Sequence, residues 1–254
     1  MRLRVIDIET TGVAPPAEIV EFGRVDVIAD GPGWRVGQPM ARLYRPLRGI
    51  PPETMAVHHI TEEMVGGDTP VCTEDKLRLA VWAGGDPDVL VAHNCDFERL
   101  FISEAVTGSL PWICTYKAAL RAWPDAPRHS NQVLRYWRAL TLDEALAMPP
   151  HRAAPDALVT AHILGELLTV ATVEEMIAWT REPKRLPAIP FGKHRGAAWS
   201  EPPTDYLEWV SRQRDMDADI VWNAKRELER RETAKGPGPT PRRVFVPNGA
   251  AAED

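Results

Sequence analysis

The first part of the chain alternates short apolar runs with turn-forming residues. Residues 3–8 alternate and then become continuously apolar before Thr-Thr-Gly, which is the pattern of a central strand that leaves the sheet through a tight turn. Residues 19–28 and 40–47 give two more strand patterns, and the turn-rich segment 30–37 separates them. Together the three strand segments predict a meander.

The middle of the chain mixes helical spacing with short buried runs, which favours an α/β class. Residues 51–61 show neither pattern and are expected to be irregular. The predicted helices are 73–83, 97–105 and 117–123, and the predicted strands are 89–92 and 112–114.

A proline pair marks the next change. Pro149-Pro150 cannot lie inside a helix, because neither residue donates a backbone hydrogen bond, so His151 is expected on a loop. Pro155 fits the first turn of a helix whose apolar positions run from Leu158 to Leu168. Asp156 is then in the first turn of that helix, shortly after the loop that carries His151.

Proline and charge are dense after residue 180, which predicts a domain boundary there. We expect a domain over 1–180, a linker over 181–188 and a small basic C-terminal module over 189–232. Residues 233–254 contain Gly-Pro-Gly-Pro-Thr-Pro and a small-residue end, which predict a disordered tail.

Composition bounds the class of protein. The 254 residues are 44% hydrophobic and 26% charged, as in soluble globular proteins. No apolar run is long enough for a membrane span and no signal peptide is evident, so a cytoplasmic protein without a membrane partner is expected. Cys72, Cys95 and Cys114 are isolated from one another, which predicts reduced structural cysteines rather than a disulfide framework or a zinc site.

The net charge of −6 is unevenly distributed. Residues 181–243 carry 14 Lys+Arg and 10 Asp+Glu, which leaves 16 and 26 for the rest of the chain. An acidic body that attracts divalent cations, followed by a basic segment that meets phosphates, is typical of a nuclease. An ordinary acidic enzyme with a solvated basic tail has the same distribution.

The Asp7-Ile8-Glu9 segment is the first candidate for chemistry. Side chains alternate along a strand, so both carboxylates point to one face and can share a hard cation. Ligands that are all oxygen select Mg²⁺ or Mn²⁺. An Asp-x-Glu pair is usually a solvated face, but an apolar strand is a poor place for two unpaired charges.

Asp7–Gly12, His93–Glu98 and the pair His151 and Asp156 are three polar clusters. In this order and context they resemble the DEDDh exonucleases of the ribonuclease H-like superfamily, over roughly residues 3–170. The resemblance implies that fold, a mixed central β-sheet flanked by helices, here with a small C-terminal module. The matching segments are Asp7–Gly12, Val57–Thr61, His93–Glu98 and the pair His151 and Asp156.

The resemblance also implies a site with two Mg²⁺ ions, for which Mn²⁺ substitutes. The four metal ligands are Asp7, Glu9, Asp156 and Glu98. His151 is the expected general base, since an imidazole with a pKa near 6.5 can accept a proton at neutral pH.

The fourth carboxylate departs from the family pattern. The family aspartate follows the phenylalanine, and that position here is Glu98. Asp96 is the alternative ligand, although its place before a helix also suggests a cap.

Substrate contacts are expected from both parts of the chain. Thr10, Thr11, His58, Asn94 and Phe97 belong to the matching segments. Near the C-terminus, Phe191–Gly196 resembles an element of the exodeoxyribonuclease X group within the family. Its residues Lys193 and Arg195 lie between glycines, so they either approach a phosphate backbone closely or are merely exposed on a glycine-shaped turn.

The expected function is metal-dependent 3′-to-5′ hydrolysis of DNA to nucleoside monophosphates, with DNA repair as the implied pathway. The partner is DNA with a 3′ end, either single-stranded or at a frayed duplex. Two alternatives stay open: an RNA 3′ exonuclease of the same fold, and a catalytically silent module that binds nucleic acid or a polymerase. The sequence does not predict an oligomeric state.

Overall fold

The structure is a computed structural model that describes residues 1–234. The segment predicted to be a disordered tail lies outside the described residues from position 235 onward. Two compact units divide the chain, the first over Met1–Pro187 and the second from Ala188. No helix among the described residues is long and apolar enough to cross a membrane.

A mixed sheet forms the centre of the first unit. Its order is β3-β2-β1-β5-β6, and β4 also pairs with β2. β1 runs antiparallel to β2 and parallel to β5, and β5 runs parallel to β6. The strands are β1 Arg2–Thr10, β2 Ile19–Asp30, β3 Gly33–Val36, β4 Met40–Leu43, β5 Val89–Ala92 and β6 Trp112–Cys114.

Helices cover the sheet, as the mixed α/β prediction requires. α7 packs on β1 and β2, and its apolar residues share a buried cluster with Leu3 and Val5 of β1. Ile6 and Ile8 belong to a second cluster with residues of α2. The helices of this unit are α1 Pro52–His58, α2 Glu74–Trp82, α3 Glu98–Phe101, α4 Glu104–Thr107, α5 Thr115–Ala122, α6 Asn131–Trp137, α7 Ala153–Leu167 and α8 Val173–Arg181.

Several local predictions are wrong. Segment 51–61 is not irregular, because α1 begins with Pro52 at its first position, where a fixed φ favours a helix and no N–H is needed. The turn-rich segment 30–37 contains β3, which pairs with β2 across a two-residue turn. The strand predicted over 40–47 ends at Leu43, shortly before Pro46, which has no N–H to continue a ladder.

The helix predicted over 97–105 is interrupted. α3 and α4 are single turns, because Ile102 and Ser103 between them adopt extended conformations. The cap prediction for Asp96 is also wrong, since Phe97 occupies the N-cap of α3 and no side chain caps it.

Up to residue 234, the second unit contains a 3₁₀ turn, Gly192–His194, and two helices, α9 Thr204–Ser211 and α10 Ala218–Ala234. The two helices pack on each other. Residues 188–234 carry 8 Lys+Arg and 9 Asp+Glu. The unit as a whole is therefore not basic, because the excess in the 181–243 segment comes from its two ends.

Candidate active site

Three carboxylates from two elements meet at the end of β1. Asp7 and Glu9 point to the same face of the strand, because Ile8 between them points to the other. Asp156 lies in the first turn of α7, the helix that covers that face. One oxygen from each carboxylate lies within 4.8 Å of the others. We call these three residues the acid cluster.

Gly23 allows α7 to approach the sheet this closely. It is the antiparallel partner of Asp7 and therefore faces the same helix. A Cβ at Gly23 would lie 2.2 Å from the carbonyl carbon of Ala153 and 2.5 Å from the amide nitrogen of Ala154. Only glycine therefore lets the first turn of α7, and Asp156 with it, come so near to Asp7.

Asp156 is held by two donors. Its Oδ2 accepts a hydrogen bond of 2.9 Å from the backbone N–H of His151, and its Oδ1 accepts one of 3.0 Å from the side-chain amide of Gln132. His151 is exposed, with a φ of +59°. The loop therefore places an accessible imidazole beside the acid cluster, with its backbone tied to one of the acids.

Sequence reasoning missed the residues that anchor this loop. Glu21 is 1% exposed, and it accepts hydrogen bonds of 2.6 and 2.9 Å from the guanidinium of Arg152. It also accepts one of 2.9 Å from the backbone N–H of Ala153. The ion pair holds Arg152, the residue after His151, and the hydrogen bond from Ala153 holds the start of α7. A glutamate within the apolar start of β2, residues 19–23, was the available signal.

The acids of the cluster raise one another's pKa. Burial, followed by the charges of Asp156, Glu9 and Glu98, raises the pKa of Asp7 well above its usual value. Burial and the charge of Asp156 raise the pKa of Glu9 to about 8, although Arg152 opposes the shift. Burial also raises the pKa of Asp156. The protein alone therefore leaves the acid cluster short of positive charge.

Glu98 and Asp96 have different surroundings. Glu98 is 3% exposed, and its buried Oε2 has no hydrogen-bond partner among the described residues. Its charge raises the pKa of Asp7. Asp96 is exposed and forms ion pairs with Lys117 at 3.2 Å and Arg99 at 3.9 Å. Glu98 is thus the carboxylate of this pair that acts on the acid cluster.

The threonines after Glu9 are engaged in the turn. The Thr10 hydroxyl donates to the Gly12 carbonyl at 2.6 Å, and the Thr11 hydroxyl accepts from the Glu18 N–H at 2.9 Å. His58 is 2% exposed, and its Nδ1 accepts from the Ile60 N–H at 3.0 Å. The His58 ring therefore offers no open face to solvent.

The other two predicted contacts of this unit flank α3. Asn94 follows β5 with a φ of +77° and is partly buried. Phe97 is also partly buried and pairs with the Phe101 ring at a centroid distance of 5.2 Å. Lys193 and Arg195 are exposed and belong to the second unit.

Comparison with known proteins decides the family. A family model described as Exonuclease matches residues 5–164, a range that includes the acid cluster, Glu98 and His151. The chain belongs to the exonuclease family. The ribonuclease H-like fold predicted from the motifs is thereby confirmed.

Exonucleases that resemble the chain are known by sequence and by structure. Exodeoxyribonuclease 10 of Escherichia coli (strain K12) is 37% identical over 233 residues, covering 89% of this chain and 99% of that protein. The solved structure of exonuclease X in complex with 5′ overhanging duplex DNA matches with a TM-score of 0.59 and 36% identity. That match covers 70% of this chain and 99% of the other. The structure of a full-length 3′-exonuclease, 18% identical with a TM-score of 0.51, shares the fold.

As an exonuclease, the chain is a hydrolase that acts on nucleic acid, and DEDDh exonucleases depend on divalent metal. The residues of the acid cluster fit such a metal. They offer carboxylate oxygens, which hard divalent cations prefer. Glu98 adds a buried oxygen to which no group within residues 1–234 donates a hydrogen bond.

Proposed function

We propose that this exonuclease removes nucleoside monophosphates from the 3′ end of DNA, using two Mg²⁺ ions. The substrate follows from the likeness to exodeoxyribonuclease 10 and to the DNA complex of exonuclease X. One observation of the site carries the proposal: three carboxylate oxygens from β1 and α7 lie within 4.8 Å of one another. DNA repair is the pathway we expect.

The acid cluster and Glu98 would hold the metal. Asp7 is central, since the charges of three neighbouring carboxylates, Glu9, Asp156 and Glu98, all raise its pKa. Divalent cations supply an activated water and neutralise the phosphate and the leaving oxygen. The Asp156 carboxylate is oriented for this by the His151 N–H.

His151 would accept the proton of the attacking water. Its imidazole is exposed beside Asp156, on a loop whose next residue is clamped by Glu21. A carboxylate bound to metal is a weaker base than a neutral imidazole. Proton removal would therefore fall to His151, while the carboxylates hold the cation.

The terminal nucleotide would contact the turn after β1 and the start of α3. The hydroxyls of Thr10 and Thr11 are engaged in the turn, so the backbone of this turn is the part that meets the substrate. Asn94 and Phe97 border the same end of the sheet. For His58 we propose a structural role rather than a substrate contact, because it is 2% exposed and its Nδ1 accepts from the Ile60 N–H.

The test is a time course on DNA and RNA strands of the same sequence, labelled at the 5′ or the 3′ end, with the 3′ hydroxyl free or blocked. We expect release of the 3′ label as mononucleotide, a requirement for Mg²⁺ that Mn²⁺ also meets, no activity in EDTA, and DNA cleaved faster than RNA.

Each alternative has its own outcome in that experiment. Faster cleavage of RNA would identify an RNA 3′ exonuclease. Tight binding of strands without any metal-dependent release would identify a silent binding module and overturn the proposal. Activity that survives EDTA would remove the metal site from the mechanism.

A further inference from the structure

The second unit presents a loop that is rigidly closed and locally cationic. Two backbone hydrogen bonds close the loop: the Gly196 N–H donates to the Ile189 carbonyl at 2.8 Å, and the Ile189 N–H donates to the Ala197 carbonyl at 3.0 Å. Gly192 and Gly196 have φ values of +64° and +86°, a backbone conformation that residues with a side chain rarely adopt. We call residues 189–197 the closed loop.

The closed loop carries positive charge without acidic residues. Lys193 and Arg195 are both exposed, and neither forms an ion pair within the described residues. The contrast with α9 and α10 is direct, since Arg212 pairs with Glu208 at 3.1 Å and Arg231 with Glu227 at 2.9 Å. Although the unit as a whole is not basic, its closed loop is.

Aromatic rings lie beside Lys193 of the closed loop. The Lys193 ammonium lies 5.8 Å from the centre of the Tyr206 ring, and the His194 ring lies 4.4 Å from it. Tyr206 is followed one turn later on α9 by Trp209, at a ring distance of 5.9 Å. The closed loop and α9 therefore form one surface of rings and cations.

Trp209 is the exposed ring of this surface. It is 50% exposed, whereas Leu207 and Val210 of the same helix are fully buried. The helix therefore buries its aliphatic residues and leaves an indole in water next to Tyr206, the ring that Lys193 contacts. Two polar atoms in the same contact, Nε2 of His194 and the Tyr206 hydroxyl, are buried and have no hydrogen-bond partner in the part of the chain that the structure describes.

We propose that this surface is a second binding site for single-stranded nucleic acid, in which a base stacks on Trp209 while Lys193 and Arg195 contact the adjacent phosphates. Aromatic rings bind bases of any sequence through their π-faces, and cations at a groove or loop follow the backbone. The proposal rests on the proposed function, which makes a nucleic-acid strand the partner of this chain.

The test measures binding of the full chain to fluorescent single strands, dT20 and rU20, in EDTA so that no hydrolysis occurs. Trp209→Ala should weaken binding roughly 5- to 150-fold, the range for one stacked base. Trp209→Phe keeps a ring and should retain most of the affinity. Lys193→Ala with Arg195→Ala should lower the dependence of log K on log salt by about 1.4, since each phosphate contact on a single strand contributes about 0.7.

A matched control removes the same charge elsewhere in the unit. Lys225→Ala with Arg226→Ala, both on α10, should leave the affinity and the salt dependence close to those of the parent. Thermal unfolding of every variant checks that the second unit stays folded. Parent-like binding by folded Trp209→Ala and Lys193→Ala/Arg195→Ala would overturn the proposal, as would equal losses in the α10 control or binding of anionic vesicles in place of strands.

The outcome is separable from that of the proposed function. Binding is measured without metal, so a chain that fails to cleave still reports on this surface. Conversely, a chain that cleaves normally while these variants bind like the parent retains the proposed function and loses this inference.

Discussion

The pKa values of the carboxylates at the two ends of β1 are shifted in opposite directions. At the first end, Arg4 is 0% exposed and pairs with Asp26 of β2, with its Nε 2.7 Å from Oδ1. Arg2 contacts the same carboxylate. Burial alone would raise the pKa of Asp26, but the hydrogen bonds and charges of Arg4 and Arg2 outweigh it and lower the pKa. At the other end, the pKa values of Asp7 and Glu9 are raised.

The difference lies in where the balancing charge comes from. Folding itself supplies two arginines to Asp26. Arg152 lowers the pKa of Glu9, but both hydrogen bonds of its guanidinium go to Glu21. Arg135 lowers the pKa of Asp156, but it pairs with Glu144. Carboxylates gathered without a directly paired cation cost free energy unless an external cation joins them. The second end of β1 therefore favours binding of a cation, whereas the ion pairs at the first end stabilise the fold.

The largest effect should come from exchanging one acid at each end. Asp7→Asn should reduce nuclease activity by more than the roughly 10²- to 10⁴-fold that follows loss of a proton-transfer group, because it disrupts metal binding itself. Asp26→Asn should keep its activity and lose about 1.5–3 kcal/mol of stability, as for a hydrogen bond to a charged group. Release of mononucleotide and denaturant unfolding measure the two. Similar activity losses in both variants would contradict the comparison.

His151→Gln should have the next largest effect. Glutamine cannot act as a base near neutral pH, so we expect the rate of hydrolysis to fall roughly 10²- to 10⁴-fold. The cation site should survive, because Asp156 accepts from the backbone N–H of residue 151 rather than from its ring. Stabilisation by Mg²⁺ in thermal unfolding is the control. If that stabilisation also disappears, His151 supports the metal site and is not simply the base.

The carboxylates of the site could be predicted because their pattern is local. Asp7 and Glu9 are two residues apart on one strand, and the loop before Asp156 follows from two prolines. The fold, with its mixed sheet, was predicted from the same motifs and is confirmed.

What the sequence analysis missed depends on contacts between distant segments. Glu21 and Gly23 lie within the predicted strand 19–28, yet their roles appear only when α7 packs on them. A charge and a glycine within the buried start of this strand, residues 19–23, did signal a buried partner and a close backbone approach. The missed helix α1 had a local signal as well, in the proline at its first position.

Gly23→Ala tests how finely the acid cluster depends on that approach. The added methyl group overlaps the backbone of Ala153 at 2.2 Å, so the start of α7 must move away from Asp7. A displacement of about 1 Å at a catalytic site can cost on the order of 10²-fold in rate, and we expect a loss of that size together with about 1–3 kcal/mol of stability.

Gly165→Ala is the matched control for this substitution. Gly165 lies on the same helix, and a Cβ there meets nothing within 4 Å. Alanine favours helix by about 1 kcal/mol over glycine, so this variant should be as active as the parent and slightly more stable. Equal activity of Gly23→Ala and Gly165→Ala would show that the spacing between β1 and α7 does not limit the reaction.

The smallest expected effect is a shift of a few degrees in melting temperature. Its dependence on pH should differ between the carboxylates at the two ends of β1. The folded pKa of Glu9 is raised to about 8, so above its unfolded value the folded state binds more protons, and stability falls as the pH rises toward 8. Asp26 has a lowered folded pKa, so its contribution is lost only in acid. In EDTA the melting temperature should therefore drop between pH 6 and pH 8, by about 2–4 °C for each kcal/mol lost.

Mg²⁺ should remove this alkaline decline, because a cation binds the ionised carboxylates and restores the charge balance that the protein lacks. Glu9→Gln should weaken the decline without Mg²⁺, since it removes one of the titrating groups, whereas Asp26→Asn should leave it intact and alter the acid side alone. A decline that Mg²⁺ does not change would mean that the acid cluster does not take up a cation, and the contrast between the two ends of β1 would then reflect packing only.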